Sequence, residues 1–495
     1  MRSDADAPPP GASLSLWSFR DDVAIETAED GSLTILARWG DVTLDPPGRA
    51  IEEVLHRMTF GPVALGNVDG LDEEELHGLF GRLPGRIVRS LGSRDSAIPL
   101  LSAQPVSPHG VLELPEVPPD RPVRLSRFAL ARQRDGELVQ ESPLSHHRVV
   151  LHRPQASAVI AALARPTTVA EVARRVALPV PLVGEIVAYL VGAGMAVQAE
   201  NGAFDEDHDP ALRSWSPYEL MFHSRSRLGR HDEPAGATFR HVDTTPAPPA
   251  AKAAPPGKRF PLPSPDATTT SANGTTPSRA AGITLVEAIE GRRSTRAFTA
   301  ESPTAAQLGE LLHRAAAVRS RQEVDGPGGT RYEVTRRPYP GAGSLYELEL
   351  YLTADRCPDL PRGIYHYSAT DHALTLVNDD PAAVDEVLDG ARVATGGRRP
   401  PPALLTITAR MDRMAWVFDG ISYATTLKHV GVLQQTLYLV ATGLGLAACA
   451  LAMGDDDTSA TALGLDWPAE VSVAEFALGF ADSYYDEPYS AVHGM

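Results

Sequence analysis

A cluster of arginines near residue 294 is the strongest candidate for anion chemistry in this sequence. Arg292, Arg293 and Arg296 flank Ser294 within a run of five residues that directly follows Gly291. Guanidinium groups donate fork-shaped, charge-assisted hydrogen bonds that suit a phosphate dianion. A basic turn without any ligand would have the same composition, so the cluster gives a hypothesis of a phosphate site that needs support from neighbouring segments.

A second candidate segment, RRPYPGAGSLYELELYL at positions 336–352, places a glycine-rich turn before an alternating strand. Leu348, Leu350 and Leu352 share one face of that predicted strand. Glycine lets backbone N–H groups approach a flat ligand closely, where a side chain would prevent it. The turn residues with this potential are Pro340, Gly341, Ala342 and Gly343.

The elements around these candidates are predicted from local signals. Thr284 and Glu287 form a capping box that begins a helix, and Gly291 is placed to end it. Positions 363–377 alternate as a hairpin, and positions 421–451 predict a long apolar helix that ends near Gly445 and is followed by a strand.

The N-terminal half contains two similar stretches, each with a strand-rich part and an Asp-Gly turn before an amphipathic helix. The turns are Asp30–Gly31 and Asp135–Gly136. Positions 167–199 then have the helix, turn, helix and wing pattern of a winged-helix module. We therefore expect tandem winged-helix-like modules at 1–120 and 121–240.

A linker and a C-terminal domain follow these modules. Positions 241–281 are dominated by Pro, Ala, Thr and Ser with few large apolar side chains, which is typical of a linker. The remaining residues, 282–495, are of domain size.

Composition narrows the possible functions. The formal net charge of −18 disfavours a protein that grips phosphate backbones, and the predicted recognition helix carries Glu185 with no lysine or arginine between Arg175 and Arg213. Two cysteines are too few for a disulfide framework or a zinc ribbon, and no metal site is expected.

The start MRSDADAPPP lacks the apolar core of a secretory signal, and the apolar stretch at 430–452 is interrupted by polar residues and glycines. We expect a cytoplasmic protein with no nucleic-acid or membrane partner.

In the order and spacing of its four C-terminal motifs, the region from about 282 to 479 resembles the FMN-dependent nitroreductase superfamily. Within that superfamily it is similar to the SagB-type dehydrogenases, which oxidise peptide thiazolines and oxazolines to thiazoles and oxazoles. The tandem N-terminal modules also look like those of longer members. The resemblance implies an α+β domain, an FMN-dependent nitroreductase-like fold that forms an obligate homodimer with FMN at the subunit interface.

The resemblance also implies roles for individual residues. Arg292, Arg293, Ser294 and Arg296 would bind the FMN phosphate and ribityl chain, and the turn at 340–343 would lie along the isoalloxazine ring. Gln435 matches a glutamine on the central helix. Gly445 and Leu446 would approach the flavin from the partner subunit.

The sequence departs from the family where a catalytic base is expected. Many relatives carry Trp-Lys-Tyr before the central helix, whereas this chain has Trp416, Val417 and Phe418. Removing a hydride from one carbon of an azoline requires loss of a proton from its neighbour, so a base must be supplied. Tyr423 or Lys428 could substitute, although five residues along a helix point to different faces.

Asp419 is an alternative base, or else an N-cap for the helix that begins near Ile421. A further alternative is that the domain has lost or changed its chemistry. His429, beside a predicted packed helix face, is expected to be structural.

Three functional hypotheses follow. The first is an FMN-dependent azoline peptide dehydrogenase whose N-terminal modules engage the precursor peptide or a partner cyclodehydratase complex. The second is an NAD(P)H-dependent nitroreductase-like flavin reductase acting on a small molecule. The third is a non-catalytic peptide-binding scaffold of the same biosynthetic complex.

Overall fold

The computed structural model describes residues 13–265, 283–452 and 454–482. The chain divides into two compact units, residues 1–233 and 234–495. The predicted start MRSDADAPPP and the second part of the predicted linker, 266–281, lie outside the described residues. The finer domain boundaries expected above stay a prediction.

The N-terminal unit contains eleven strands and eight helices among its described residues. In chain order they are β1 (Ser13–Phe19), β2 (Ala24–Thr27), β3 (Leu33–Leu36), β4 (Val42–Leu44), α1 (Arg49–Phe60), α2 (Glu73–Gly81), β5 (Ile87–Ser93), β6 (Ser96–Pro105), β7 (Val123–Leu125), β8 (Leu130–Arg134), β9 (Glu137–Glu141), β10 (His147–Leu151), α3 (Pro154–Ala162), α4 (Val169–Val176), α5 (Val180–Gly192), β11 (Ala196–Gln198), α6 (Asp205–His208), α7 (Pro210–Arg213) and α8 (Pro217–Arg225).

The two similar N-terminal stretches share one antiparallel sheet. Its strand order is β1-β5-β6-β10-β9-β8, so strands from both stretches are hydrogen-bonded neighbours. Both predicted Asp-Gly turns are confirmed, since the first joins β2 to β3 and the second joins β8 to β9. Asp135 and Gly136 have φ of 51° and 86°, a left-handed backbone that favours these residue types in a tight hairpin.

Helices α4 and α5 meet at a sharp bend and pack beside a two-stranded ribbon of β7 and β11. The Thr168 hydroxyl accepts the backbone N–H of Glu171 and thereby caps α4. This is a helix, turn, helix and strand order, but the assignment of winged-helix modules stays a prediction.

The C-terminal unit combines eleven strands and six helices among its described residues. They are β12 (Gly236–Ala237), β13 (Arg259–Pro261), α9 (Leu285–Gly291), α10 (Ala305–Ala316), β14 (Ser320–Asp325), β15 (Arg331–Arg336), β16 (Leu348–Ala354), β17 (Gly363–Ser368), β18 (Ala373–Asn378), α11 (Pro381–Thr395), β19 (Ala403–Arg410), α12 (Met411–Ala415), β20 (Phe418–Asp419), α13 (Ser422–Leu444), β21 (Ala447–Leu451), α14 (Asp456–Leu463) and β22 (Glu470–Gly479).

A seven-stranded antiparallel sheet forms the centre of this unit, with the order β13-β18-β17-β16-β19-β22-β21. One sheet face packs against α10 and α13 through residues such as Leu350, Leu433 and Phe476. The other face packs against α11 and α14 through Leu404 and Leu388. Alternation along each strand separates the two cores, as expected for a sheet covered on both sides.

The local predictions for this unit are confirmed. The Thr284–Glu287 capping box begins α9, which ends at Gly291. Strands β17 and β18 form the predicted hairpin, and positions 421–451 contain the long helix α13 followed by β21. The C-terminal region therefore has mixed helix and sheet content, as expected for an α+β domain.

The described part of the predicted linker is packed on the C-terminal unit. The Arg413 guanidinium donates to the backbone oxygen of Pro248 at 2.7 Å, and the Trp416 indole N–H donates to that of Thr245 at 2.9 Å. Strand β13 pairs with β18. We call residues 234–262 the arm, because contacts such as these and the pairing of β12 with β20 hold them against the rest of this unit.

Within the described parts of the chain, no single helix has the length and apolar character to cross a membrane. One bent pair, α4 with α5, has sufficient length and composition. The predicted cytoplasmic location stays a prediction.

Candidate functional site

The arginine segment 292–296 is held beside β21. The backbone N–H of Thr295 donates to the Ala448 oxygen at 2.9 Å, and the Thr295 side chain is buried. Burial raises the pKa of the Cys449 thiol, and the positive charge of Arg296 opposes that rise. Both observations place the arginine segment against the edge strand of the sheet.

Tyr438 of α13 organises the side chains of this segment. The Arg292 guanidinium lies 5.1 Å from the centre of the Tyr438 ring, at cation–π distance. The Ser294 hydroxyl is 2.8 Å from the Tyr438 hydroxyl, which also accepts the backbone N–H of Ala450. Arg293 and Arg296 are exposed. Arg292 and Ser294 are thereby held at Tyr438, with two exposed guanidinium groups in the same segment, and donors of this kind suit an anion.

Gly445 and Leu446 lie at the same end of α13 as the arginine segment. Gly445 has φ of 72° and ends the helix in a left-handed conformation, which glycine adopts without strain. The N–H of Leu446 donates to the Ala441 oxygen at 2.9 Å, and the buried Leu446 directly precedes β21. The pair is therefore close to the arginine segment of its own chain, and its approach to a partner's flavin stays a prediction.

The glycine turn at 340–343 is held at its base by two aromatic residues. The Tyr346 hydroxyl donates to the Tyr339 backbone oxygen at 2.8 Å, and both rings are buried. Burial raises the pKa of Tyr339 well above its usual range. Gly343 has φ of 58°, and both Pro340 and Gly343 are exposed. The turn therefore has two exposed residues on a fixed base.

A buried histidine and glutamate support the turn from below. The backbone N–H of Ala342 donates to His429 Nε2 at 2.9 Å, and His429 Nδ1 donates to Glu347 Oε1 at 2.8 Å. Because Nε2 accepts, the ring proton lies on Nδ1. Glu347 is fully buried, and its Oε2 has no hydrogen-bond partner among the described residues. The structural role expected for His429 is consistent with these contacts, whereas the role of Glu347 was not predicted.

The cofactor residues predicted from the sequence form two groups, the glycine turn and the arginine segment. Each group contacts a different side chain of α13. His429 contacts the glycine turn and Tyr438 contacts the arginine segment. Nine residues of α-helix separate these two side chains by about 13 Å along the axis and by about half a turn around it. Gln435, exposed, lies between them in sequence. Within one chain, α13 therefore stands between the two groups.

The three predicted base candidates do not form one cluster. Tyr423 and Lys428 are both exposed on α13, five residues apart and thus about 140° apart around the helix. Asp419 is buried, with its carboxylate 2.8 Å from the Thr238 hydroxyl and 2.9 Å from the Arg240 guanidinium.

The alternative role of Asp419 as a helix N-cap is wrong. Helix α13 begins at Ser422, next to Ile421, without any side-chain cap, because both oxygens of the Asp419 carboxylate bind the arm.

The positions where the resembled family carries Lys-Tyr are apolar and covered in this chain. Val417 is buried and Phe418 is partly buried in a small cluster that includes Phe239 of the arm. The Phe239 and Trp416 rings meet edge to face at 5.7 Å. The apolar residues in place of Lys-Tyr are visible in the sequence, whereas the arm that covers them is visible only in the structure.

Asp419 supplies the first testable prediction. Because its carboxylate binds Arg240 and Thr238, we expect Asp419→Asn to lower the free energy of unfolding by about 1 kcal/mol. Under the hypothesis of an azoline peptide dehydrogenase, turnover of an azoline peptide should stay within about twofold of that of the unsubstituted protein. Chemical unfolding and steady-state oxygen uptake measure the two effects, and Asp412→Asn on the neighbouring α12 is the matched control. A loss of turnover above tenfold with unchanged stability would instead indicate that Asp419 accepts the azoline proton.

Family models match two parts of the chain. Residues 289–480 match the nitroreductase family, and residues 123–232 match a model described as cyanobactin oxidase ThcOx. Each covers less than half of the chain. The nitroreductase match contains the arginine segment, the glycine turn and α13, and it supports an oxidoreductase.

Three individual proteins illustrate the similarity. A curated protein named as a nitroreductase, MJ1384 of Methanocaldococcus jannaschii, is 25% identical over 167 residues, which cover 33% of this chain and 76% of the relative. A nitroreductase structure from Anabaena variabilis is 18% identical, covers 52% of this chain and 45% of its own length, and has a TM-score of 0.35.

The third protein is the microcin synthetase McbBCD complex of E. coli with truncated pro-MccB17 bound. It is 22% identical to this chain, covers 37% of this chain and 67% of its own, and has a TM-score of 0.31. At such TM-scores neither structural likeness carries an inference about activity.

Proposed function

We propose that this chain is an FMN-dependent dehydrogenase that oxidises thiazoline or oxazoline rings of a ribosomally synthesised peptide to thiazoles or oxazoles. The observation that carries the proposal is the arginine segment fixed on β21 and Tyr438 within the region that matches the nitroreductase family.

The residues present fit the charge and shape of FMN. Arg292, Arg293 and Arg296 would hold the phosphate, with the Ser294 hydroxyl as a further donor. The glycine turn, Pro340 to Gly343, would lie along the ring system with its exposed residues Pro340 and Gly343. A flavin bound in this way supplies the acceptor for the hydride that leaves the azoline carbon.

A second copy of the chain would bring the two groups of cofactor residues together. In one chain α13 separates the arginine segment from the glycine turn. The neighbouring helix α9 leaves three apolar side chains exposed, Leu285 at 65%, Val286 at 61% and Ile289 at 53%. Solvent-exposed apolar groups in a contiguous row are typical of an interface. These features support a homodimer with a site at the interface.

The proton of the azoline needs an acceptor on this chain. Tyr423 and Lys428 are the exposed candidates on α13, and Asp419 is already bound by Arg240. Tyr423 lies in the first turn of α13, just after the apolar segment that replaces the family's Lys-Tyr pair. We propose Tyr423 as the first candidate and Lys428 as the second.

The N-terminal unit supports a biosynthetic rather than a general reductase role. Residues 123–232, which match the cyanobactin oxidase model, extend almost to the end of that unit at Glu233. We propose that the unit engages the precursor peptide or a cyclodehydratase partner.

The similarity to MJ1384, named as a nitroreductase, favours the second candidate function, an NAD(P)H-dependent flavin reductase.

The decisive experiment mixes the purified, flavin-loaded protein anaerobically with an azoline peptide or with NADPH. We expect the azoline peptide to bleach the visible flavin band, with conversion to the azole detected as a mass loss of about two daltons, one hydride and one proton. Bleaching by NADPH alone would support the reductase. A colourless protein that does not bind added FMN would support the scaffold and contradict both enzymes.

A further inference from the structure

A cavity of about 220 Å³ lies on the sheet face opposite α13. It is bounded by α11, by β19, β21 and β22, and by the start of α14. Ala474 and Phe476 of β22 belong to the core beneath α13, so the side chain of Glu475 between them points to the other face. The cavity is therefore separate from the predicted cofactor residues.

Glu475 is the unusual group in this cavity. Its side chain belongs to a residue only 7% exposed, yet its carboxyl has no hydrogen-bond or ion-pair partner among the described residues. Gly454 leaves room for it, since a Cβ at that position would lie 2.0 Å from Glu475 Oε1. A carboxylate that is mostly removed from water and has no protein partner is costly to ionise, and a cation, a water molecule or a proton lowers that cost.

The surroundings of Glu475 select for a cation. Glu386 of α11 and Asp455 at the N-cap of α14 also line the cavity, and none of its lining residues is lysine or arginine. The walls include the apolar side chains of Leu404 and Leu451. Across the described residues, no group of three or more histidine, cysteine, aspartate or glutamate side chains could hold a metal ion, which favours an organic cation.

We propose that this cavity binds a short alkylammonium group, with the ammonium at Glu475 and the carbon chain against Leu404 and Leu451. A free amine and a peptide lysine share this chemistry. Opposite charge placed beside a buried carboxylate removes the cost of its burial, and the apolar walls shield the carbon chain from water.

The acid–base state of Glu475 gives the site a pH dependence. Burial, with the negative charge of Asp456 as the second cause, raises the pKa of Glu475 to about 7. The groups that face it are Asp455 and Asp456 on α14, Glu386 on α11 and Thr406 on β19. Only the ionised carboxylate attracts the cation, so affinity should increase as pH rises through 7 and become constant above it.

Calorimetric titration of the full chain with n-butylammonium chloride at pH 8 tests the proposal. We expect Glu475→Gln to weaken binding at least about tenfold and Asp457→Asn, an exposed acid on the same α14, to leave it unchanged. n-Butanol, with the same carbon chain and no charge, should bind at least about tenfold more weakly. Nα-acetyl-lysine methylamide in a parallel titration distinguishes a peptide lysine from a free amine as the better occupant.

A second measurement keeps the test informative if Glu475→Gln does not fold. Titration of the unsubstituted protein at pH 6 in two buffers of different ionisation enthalpy should show proton release on binding. Absence of n-butylammonium binding would mean a water-filled cavity and would overturn the proposal. Three further outcomes would also overturn the proposal: equal affinity for n-butanol and n-butylammonium, unchanged binding by a folded Glu475→Gln variant, or binding at pH 6 without proton release.

Discussion

Replacing His429 with leucine should lower the free energy of unfolding of the C-terminal unit by about 3 kcal/mol or more. The substitution leaves the fully buried carboxyl of Glu347 without its one partner and the Ala342 N–H without an acceptor. Breaking one side of a buried polar pair is costly because the other group keeps its desolvation penalty. Chemical unfolding followed by tryptophan fluorescence measures the change.

A local measurement separates this effect from general destabilisation. Hydrogen exchange of the segment around Ala342 should accelerate in His429→Leu beyond any change in α11, which packs on the opposite face of the sheet. Glu347→Gln is the matched control, since its amide oxygen can still accept from His429 Nδ1. The double variant Glu347→Leu with His429→Leu should recover part of the loss, because an apolar pair leaves no buried polar side chain unpaired.

An unchanged stability of His429→Leu, with normal exchange at Ala342, would contradict the support role of this pair. If the proposed function is correct, the loosened turn should also weaken FMN binding, since a preorganised backbone lowers the entropy cost of binding. That second effect can fail without affecting the first.

Replacing Arg292 and Arg296 together with alanine should weaken FMN binding about a hundredfold or more. Each charge-assisted hydrogen bond to a phosphate contributes about 1.5 to 3 kcal/mol, and both guanidinium groups lie in the segment fixed on β21. The flavin content after purification and the Kd for added FMN, measured by fluorescence quenching, report the effect.

Two further variants make this test specific. Arg331→Ala removes an exposed arginine that pairs with Glu323 and Asp325 in the β14–β15 hairpin, and it should leave FMN binding unchanged. Arg292→Lys keeps the charge but loses the fork-shaped donors and the flat contact with Tyr438, so an intermediate loss is expected. Full flavin retention in the double alanine variant would contradict the assignment of the arginine segment to the FMN site.

The arm gives a physical account of why the family's usual base positions are apolar in this chain. Val417 and Phe418, which stand at those positions, pack in one cluster with Phe239 of the arm. The neighbouring Trp416 indole N–H donates to the Thr245 oxygen of the arm. A lysine or tyrosine side chain directed into this cluster would need a buried partner. The apolar residues at these two positions therefore match the arm that covers them, whereas a Lys-Tyr pair would not.

Much of the local structure was determined by the sequence alone. The capping box at Thr284, the Asp135–Gly136 hairpin and the long helix ending at Gly445 each depend on residues that are neighbours in the chain. Backbone preferences and side-chain caps act over a few residues, so these elements could be predicted, together with the arginine segment and glycine turn that they support.

Only the tertiary structure decided which distant side chains meet. Glu347 and His429 are 82 residues apart, and Thr238 and Asp419 are 181 apart, with no local pattern to connect them. The segment 241–281 has the composition of a free linker, yet its described part is fixed by side chains of the C-terminal unit, among them Arg413. Such contacts depend on the packing of whole elements, because hydrogen bonds between distant residues form only once the sheet and its covering helices bring them together.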